Sequence, residues 1–417
     1  MRTLLTATLV AATTLVVAAG GLVAAGPLPA TAAGNPTCRD LDATIVGGPG
    51  DRVSGTAEAD VIVATNSARV SAGGGNDTIC YIGQGPINEI DAGDGDDYVD
   101  LAQAELASVS VKLGRGADLF VGGDSAEHVT TGNAFGDDAV DRVDTGAGKD
   151  QVSSGRDPVP NADVIDLGSG ADALDFDGQP APGLDLAGGG GVDAITGLAD
   201  GTHVDLSREV IAGTGGGSGS LTSVEHVHGY HDLVVIGSDK AERVEASQGL
   251  DARMGGGDDR IEVAFGADVV VGGEGRDGLT LGIEPVGGDF GGRDLRVDLR
   301  SRVGWSNGVP FKIGVEDVAL IGYQSVSLLG NAFANHLEVR SSCSVRIDGR
   351  AAGDRLHVVA TDYCRTPDPR LNGGSGPDIL LGSTVNDVLI GGRGRDRADG
   401  HRGRDRCVAE AERRCER

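Results

Sequence analysis

Four aspartates close to the C-terminal end, Asp378, Asp387, Asp396 and Asp405, fall nine residues apart, and the stretches leading into them read GGSGPD, STVND, GGRGRD and GHRGRD. This spacing constrains the fold more than any other feature of the chain. The pattern Gly-Gly-x-Gly-x-Asp-x-apolar-x alternates a tight glycine turn with a short strand, so two copies close one coil and identical turns then stack along both edges. A chain built this way is a solenoid. Glycine is required because the turns use positive φ and because a cation must be approached by bare carbonyls. Aspartate supplies the charge, and an all-oxygen donor set suits a hard cation with about six to eight ligands.

The beat is not confined to the end of the chain. Asp42, Asp51 and Asp60 keep the nine-residue step, Arg69 with Val70 takes the next beat, and Asp77 in GGGNDTI follows eight residues later. In mid-chain Asp259, Asp268 and Asp277 form another run, which ends in the full match GGEGRD at 272–277. Between these runs the beat survives in pairs: Asp118 with Glu127, Asp141 with Asp150, and Asp163 with Asp172. An apolar residue stands two positions after each, as in Val143 with Val152 and Ile165 with Leu174. Isolated copies occur as GDGDDYV at 93–99, which contains Asp97, and as GGGGVDAI at 188–195, which contains Asp193. One Gly-Asp cluster is a solvated turn in most proteins. Many in phase are an architecture.

These residues resemble the RTX, or haemolysin-type, calcium-binding nonapeptide repeat, in blocks 42–80, 91–195, 255–280 and 373–407, about half of the chain. The resemblance implies an all-β fold, a right-handed parallel β-roll or β-helix solenoid that is elongated and ends in a short C-terminal cap. It also implies several Ca²⁺ ions, held between stacked turns by loop carbonyls and by aspartates eighteen residues apart. Carried over residue by residue, it pairs Asp378 with Asp396, Asp387 with Asp405, Asp259 with Asp277, and Asp42 with Asp60. The implied loops are Gly188, Gly189 and Gly191; Gly257; Gly272, Gly273 and Gly275; Gly373, Gly374 and Gly376; and Gly391, Gly392 and Gly394. The implied carboxylates are Asp42, Asp51, Asp60, Asp77, Asp97, Asp118, Asp150, Asp172, Asp193, Asp259, Asp268, Asp277, Asp378, Asp387, Asp396 and Asp405. Asp387 lacks the loop glycines and His401 replaces one before Asp405, so these two are either sites or structural turns.

A second, longer repeat organises the middle. VDLSREV at 204–210, VEHVHGY at 224–230 and IGSDKAERVE at 236–245 recur as VDLRSRV at 297–303, VEDV at 315–318 and LGNAFANHLE at 329–338, an internal duplication with a step of about 93 residues. The alternating apolar residues of this unit read as further coils, less regular than the rest. Ala352 stands where a loop glycine belongs before Asp354, which disfavours the turn there. The expected organisation is a leader at 1–33, N-terminal coils at 34–80, irregular coils at 81–200, the duplicated unit at 201–370, a C-terminal roll at 371–406 and a cap at 407–417. Interruptions are expected at 213–220 and 366–370.

With Gly at 71 of 417 residues and aromatics at 3%, there is little to fill a large globular core, and ladders of small aliphatic residues take its place. At roughly 20 residues per coil and about 4.8 Å per strand step, the mature chain makes a rod on the order of 90 Å long. The formal charge of −28 is concentrated in the turns. Stacking two carboxylates about 5 Å apart costs roughly 1 kcal/mol in water and several at an effective dielectric near 20. Calcium is therefore expected to act as part of the fold, binding the stacked state and not the unfolded one.

Met1-Arg2, an apolar run over 4–25 and the small residues Ala30-Thr31-Ala32-Ala33 read as a secretory signal peptide, which places the protein outside the cell and leaves no transmembrane segment after cleavage. Six cysteines, an even number, fit an oxidising compartment. Fifteen pairings are possible; locality favours Cys38 with Cys80, Cys343 with Cys364, and Cys407 with Cys415. The middle pair brackets the turn at Asp354, as if a covalent staple replaced calcium there.

No HExxH, Walker or GxSxG motif is present, and no two cysteines lie at CxxC spacing. His226, His228 and His231 are the one unusual cluster, read as surface histidines of a polar strand face, with metal ligation as the alternative. The Arg-rich tail beyond Gly391 is read as a cap, with the stretch after Cys407 forming a short helical turn, and not as a nucleic-acid patch, since it carries no interleaved aromatics. The function expected is a secreted, non-enzymatic calcium-binding solenoid, structural, adhesive or calcium-buffering, with calcium ions and a cell-wall or extracellular polysaccharide as its partners. The alternative is a carbohydrate-active enzyme of lyase or epimerase type on a β-helix, because such enzymes also place carboxylates on a solenoid face.

Overall fold

The computed structural model describes residues 35–416 except 86, 133–138, 157, 284–292 and 360–367; the expected leader and Cys364 lie outside the described residues. The fold is all-β. Among the described residues there is no helix, hence none long and apolar enough to cross a membrane. Forty strands join one hydrogen-bonded system that winds into a parallel solenoid of about 18 turns. Each coil contributes two short strands, and each strand pairs in parallel with its counterpart in the next coil, as Val61–Thr65 does with Thr78–Ile82 and Ile90–Asp94 with Ser108–Arg115.

The Asp-x-apolar triplet explains the core. Its apolar residue points inward, and parallel register stacks it on the equivalent residue one coil away, so that a single aliphatic ladder runs without a break from Val53 through Val70, Ile90, Val152, Val244 and Leu356 to Ala398. These side chains are fully enclosed, each contributing about 1.5–3 kcal/mol for a Val, Leu or Ile. The coils are less uniform than the nine-residue beat implies. Steps of 17 to 24 residues separate equivalent positions, because only the strands and the turn carboxylate must stay in register while the rest of the loop absorbs the difference.

Two steps, of 32 and 39 residues, are longer for a different reason. The duplicated unit, expected to be irregular coils, opens in each copy with an antiparallel excursion: His203–Asp205, Val210–Ala212 and Ser218–Thr222 in the first, Asp294–Asp298, Val303–Ser306 and Val309–Gly314 in the second. Both reversals use a non-glycine residue at positive φ, Glu209 at 58° and Arg302 at 56°. The segment 213–220 forms the tip and return of the first excursion.

Both ends of the described solenoid are stapled. An antiparallel pair, Thr37–Cys38 with Leu41–Asp42, is tied to the coils by the Cys38–Cys80 disulfide. At the other end the expected helical turn is not found. Arg406–Val408 and Ala411–Arg413 instead continue the parallel pairing of Val388–Arg393 and Arg397–Asp399, because Cys407 follows Asp405 at the spacing of a ladder residue and stacks on Leu389; the Cys407–Cys415 disulfide closes this last coil. Cys343 is also disulfide-bonded.

Candidate metal centre

Two columns of carboxylates run along the solenoid, one on each edge. On the first edge the backbone N–H of each aspartate donates to Oδ1 of the aspartate one coil further on, from Asp60 to Asp77, Asp97, Asp118, Asp141 and Asp163, at 2.7–2.9 Å. On the second edge the same bond links Glu127, Asp150, Asp172 and Asp193, then Glu242, Asp259 and Asp277, then Asn335, Asp354, Asp378 and Asp396, at 2.7–3.0 Å. Asp387 and Asp405 form a short second run on the first edge. The main-chain carbonyl of each column residue also accepts from the next coil, as when Tyr98 N donates to Asp77 O at 2.9 Å. The nine-residue beat thus alternates between edges: Asp118, Asp141 and Asp163 belong to the first column and Glu127, Asp150 and Asp172 to the second.

The second oxygen of these carboxylates divides the turns into two classes. Oδ2 of Asp77, Asp97, Asp150, Asp172, Asp193, Asp259, Asp277, Asp354, Asp378, Asp396 and Asp405 is buried and has no hydrogen-bond partner in the protein. In most of these turns glycines stand four and two residues before the aspartate. In the other class a hydroxyl residue stands four residues before, and it satisfies the carboxylate itself. Thr56 donates to Asp60 Oδ2 from its N–H at 2.8 Å and its hydroxyl at 2.9 Å. Ser383 N donates to Asp387 Oδ2 at 2.6 Å; Glu242 is intermediate, since Ser238 N donates to its Oε1 at 3.1 Å while its Oε2 is buried without a partner. Asp163, which ends the first column, takes hydroxyls from Ser154 at 2.7 Å and Thr131 at 3.1 Å. A buried polar atom without a partner costs about 1–3 kcal/mol, more for a charged one, so eleven of them in phase call for an external partner or a proton.

Without a cation, burial favours the protonated form of these carboxyls. Burial, chiefly, pushes the carboxyls of Asp97, Asp259 and Asp354 up to about 7, Asp378 to about 6, Asp141 to about 8 and Glu127 to about 9; neighbouring carboxylates push the same way, and the main-chain N–H donors pull the aspartates back. A divalent cation replaces those protons with charge the site wants. The residues fit calcium. Every orphaned carboxylate atom in the columns is a hard oxygen, and among the described residues no group of three or more His, Cys, Asp or Glu is placed to hold a metal, so most ligands must be loop carbonyls.

The loops explain their glycines more fully than conformational freedom does. Gly376 and Gly394 have φ of 129° and 153°, and a Cβ on either would lie 1.9 or 1.8 Å from the carbonyl oxygen of the loop one coil below. The turns stack backbone on backbone. Gly257, Gly273, Gly275, Gly374, Gly392, Gly189 and Gly191 are held in the same way, while Gly188, Gly272, Gly373 and Gly391 pack against the carboxylate of their own loop. Arg350 and Ala352 adopt φ of 73° and 74° before Asp354, and His401 adopts 74° before Asp405. The turn that Ala352 was expected to disfavour is therefore kept, at a cost of roughly 1–2 kcal/mol per residue.

Of the implied pairs, the structure brings together Asp259 with Asp277, Asp378 with Asp396, and Asp387 with Asp405. It does not bring Asp42 to Asp60, whose neighbour is Asp77. Asp42, Asp51 and Asp268 are exposed and stand outside the columns; Asp51 Oδ2 accepts from Gly48 N within its own turn at 2.9 Å. Glu127, already on the beat beside Asp118, occupies a column position, and so do Glu242, Glu316 and Asn335, which a search for aspartate misses. The signal that finds them is the ladder residue two positions later. His226, His228 and His231 lie on one outward-facing strand, where His226 meets Glu245 at 3.3 Å and His231 meets Asp200 at 3.1 Å, each a separate pair.

Comparison with known proteins agrees with this geometry at two places. The family model of the RTX calcium-binding nonapeptide repeat matches four copies, over residues 255–282 and 372–407. These segments contain Asp259, Asp277, Asp378 and Asp396. A search of curated proteins finds no match to the chain.

Proposed function

We propose that this is a secreted calcium-binding β-solenoid with a structural or adhesive role outside the cell, in which calcium completes the fold and no chemistry is catalysed. The observation that carries the reading is the coincidence of orphaned Oδ2 atoms with glycine turns along both edges. Asp77, Asp97, Asp150, Asp172, Asp193, Asp259, Asp277, Asp378 and Asp396 would supply carboxylate oxygens, with the carbonyls of the loops before them. When bound, calcium supplies positive charge that the stacked turns lack. The chain's own residues do the rest: main-chain N–H groups fix one carboxylate oxygen, and glycines let the loops approach. The hydroxyl-closed turns at Asp60 and Asp387 need no ion.

The apolar leader, the disulfide-bonded cysteines and the millimolar calcium of extracellular media support a location outside the cell, and a cell-wall or extracellular polysaccharide is the partner class this role calls for. The test is a calorimetric calcium titration beside circular dichroism. Calcium uptake at several sites with a gain in β signal is expected, and a β signal and melting temperature indifferent to chelator would overturn the reading.

A further inference from the structure

On the outward face of the second-edge sheet, two neighbouring rungs whose outward side chains are mostly small lie between charged ones. The rungs Gly278–Gly282 and Asp317–Ile321 present Gly278, Thr280 and Ala319, which are small, while the rungs on either side present Arg260 with Glu262 and His336 with Glu338 and Arg340. The result is an open trough of about 620 Å³. Its two walls are three strand steps apart, roughly 14 Å, and it runs along strands of five residues, roughly 17 Å. Arg276 clasps Asp317 across one end, Nε to Oδ2 at 2.8 Å and Nη2 to Oδ1 at 2.7 Å.

Each wall is an ion-paired rail. Glu262 takes Arg260 Nε at 3.0 Å and Arg243 Nη2 at 3.2 Å; Glu338 takes Arg340 Nε and lies 3.5 Å from His357 Nδ1. The rails orient their side chains and cancel their own charge, so an ionic ligand gains little from them, and the chain's charge of −28 repels a polyanion at long range. Hydroxyl groups gain more. A polyol donates to carboxylate lone pairs and accepts from guanidinium N–H groups such as those of Arg260, whose Nε is the atom that meets Glu262. The floor of Gly278, Ala319 and Ile321 offers a flat surface to C–H groups, with one hydroxyl at Thr280. His336 Nε2 is buried without a hydrogen bond, its nearest carboxylate oxygen 3.8 Å away. Hydrolysis through paired carboxyls is disfavoured: His357 and Arg340 hold the Glu338 carboxyl down at about 2, which leaves it no proton to donate.

We propose that this trough binds a neutral oligosaccharide, laid along strands Gly278–Gly282 and Asp317–Ile321 with its hydroxyls on the two guanidinium–carboxylate rails. The inference deepens the adhesive reading above and is separable from the calcium reading. The experiment uses the full chain in calcium, with circular dichroism and calcium uptake recorded on each sample. Affinity electrophoresis and calorimetry are run against neutral glucans, xylan, mannan and chitin oligosaccharides, with polygalacturonate as the charged comparison. Retention by at least one neutral glycan is expected, reduced tenfold or more in Ala319→Trp, which fills the floor, and in Glu262→Gln, which keeps the shape and weakens a rail. Failure of every neutral glycan to bind the calcium-folded protein overturns the proposal and leaves the calcium reading intact. Binding of polygalacturonate alone, or undiminished binding by a folded Ala319→Trp, also overturns it; if that variant does not fold, Glu262→Gln decides.

Discussion

The guanidinium of Arg350 clasps the carboxylate of Asp298 across 52 residues of sequence, Nη1 to Oδ1 at 2.7 Å and Nη2 to Oδ2 at 3.1 Å, while Nη1 also reaches Gly330 O at 2.7 Å. Strands Asp294–Asp298, Ser325–Leu329 and Ser344–Asp348 are consecutive rungs, so one side chain ties three coils. Arg350 stands where the loop would carry its second glycine, and it brings to this edge a fixed positive charge. Its hydrogen bonds hold the Asp298 carboxyl below the usual range. Arg350→Gln is expected to lower the unfolding free energy by about 2 kcal/mol, the scale of hydrogen bonds to a charged group. Urea unfolding in saturating calcium measures it; a loss under about 0.5 kcal/mol would mean that solvent competes the clasp away.

The two turn classes make opposite predictions for the same substitution. Asn335 shows that an amide fits the column, since its Oδ1 accepts from Asn331 N at 3.1 Å and its N–H still donates to Asp354. Asp277→Asn and Asp396→Asn should therefore fold, and each should lose calcium from the stoichiometry measured by calorimetry. Asp387→Asn, in a serine-closed turn, and Asp268→Asn, on the exposed surface, should leave the stoichiometry unchanged. Equal losses at all four positions would dissolve the distinction between the classes.

Stability should depend on pH in a direction unusual for an acidic protein. The carboxyls of Asp97, Asp259, Asp354 and Asp387 sit near 7 when folded, against about 4 in the unfolded chain, with burial the main cause. Between these values the folded state binds more protons than the unfolded state, so stability falls as pH rises. In chelator, the melting temperature is expected to drop from pH 5 to pH 8. Calcium competes with the protons on Asp97 and Asp259, so its affinity should rise over that interval and millimolar calcium should reverse the trend. A chelated protein that melts higher at pH 8 would show that protons do not occupy the columns.

Solenoid and columns were legible in the sequence because both follow from one local rule, a carboxylate followed two residues later by an apolar side chain. That rule reaches Asp259, Asp277, Asp378 and Asp396 directly. It reaches Glu242 and Asn335 only if the ladder residues Val244 and Leu337 are aligned first, since Glu and Asn also accept a main-chain N–H. The excursions were not legible. The alternation in Val204–Leu206 and Val297–Leu299 is the same for a parallel and an antiparallel strand, and the reversals rest on Glu209 and Arg302 at positive φ, where sequence statistics expect glycine. The distinction between Asp51, which caps its own turn, and Asp77, which stacks on the next coil, depends on neighbours 20 residues away and not on the local motif.

Stacking of backbone on backbone gives the last prediction. Gly376 lies at φ 129° with the Ala352 carbonyl oxygen 1.9 Å from where a Cβ would stand, whereas Gly215 has open space around it and no positive φ. Gly376→Ala must therefore both strain the turn and push two coils apart at the point where loop carbonyls converge. The strain alone costs about 1–2 kcal/mol, and the steric overlap adds to it. The coil separation should also weaken calcium binding at Asp378, because ligands from two coils no longer meet. Gly215→Ala changes neither quantity. The check is a pair of thermal melts, with and without calcium, for each variant: Gly376→Ala is expected to lose most of its calcium-induced rise in melting temperature, and Gly215→Ala to keep all of it. If the two variants respond alike, glycine in these turns serves flexibility alone and the close stacking of loops is not what calcium requires.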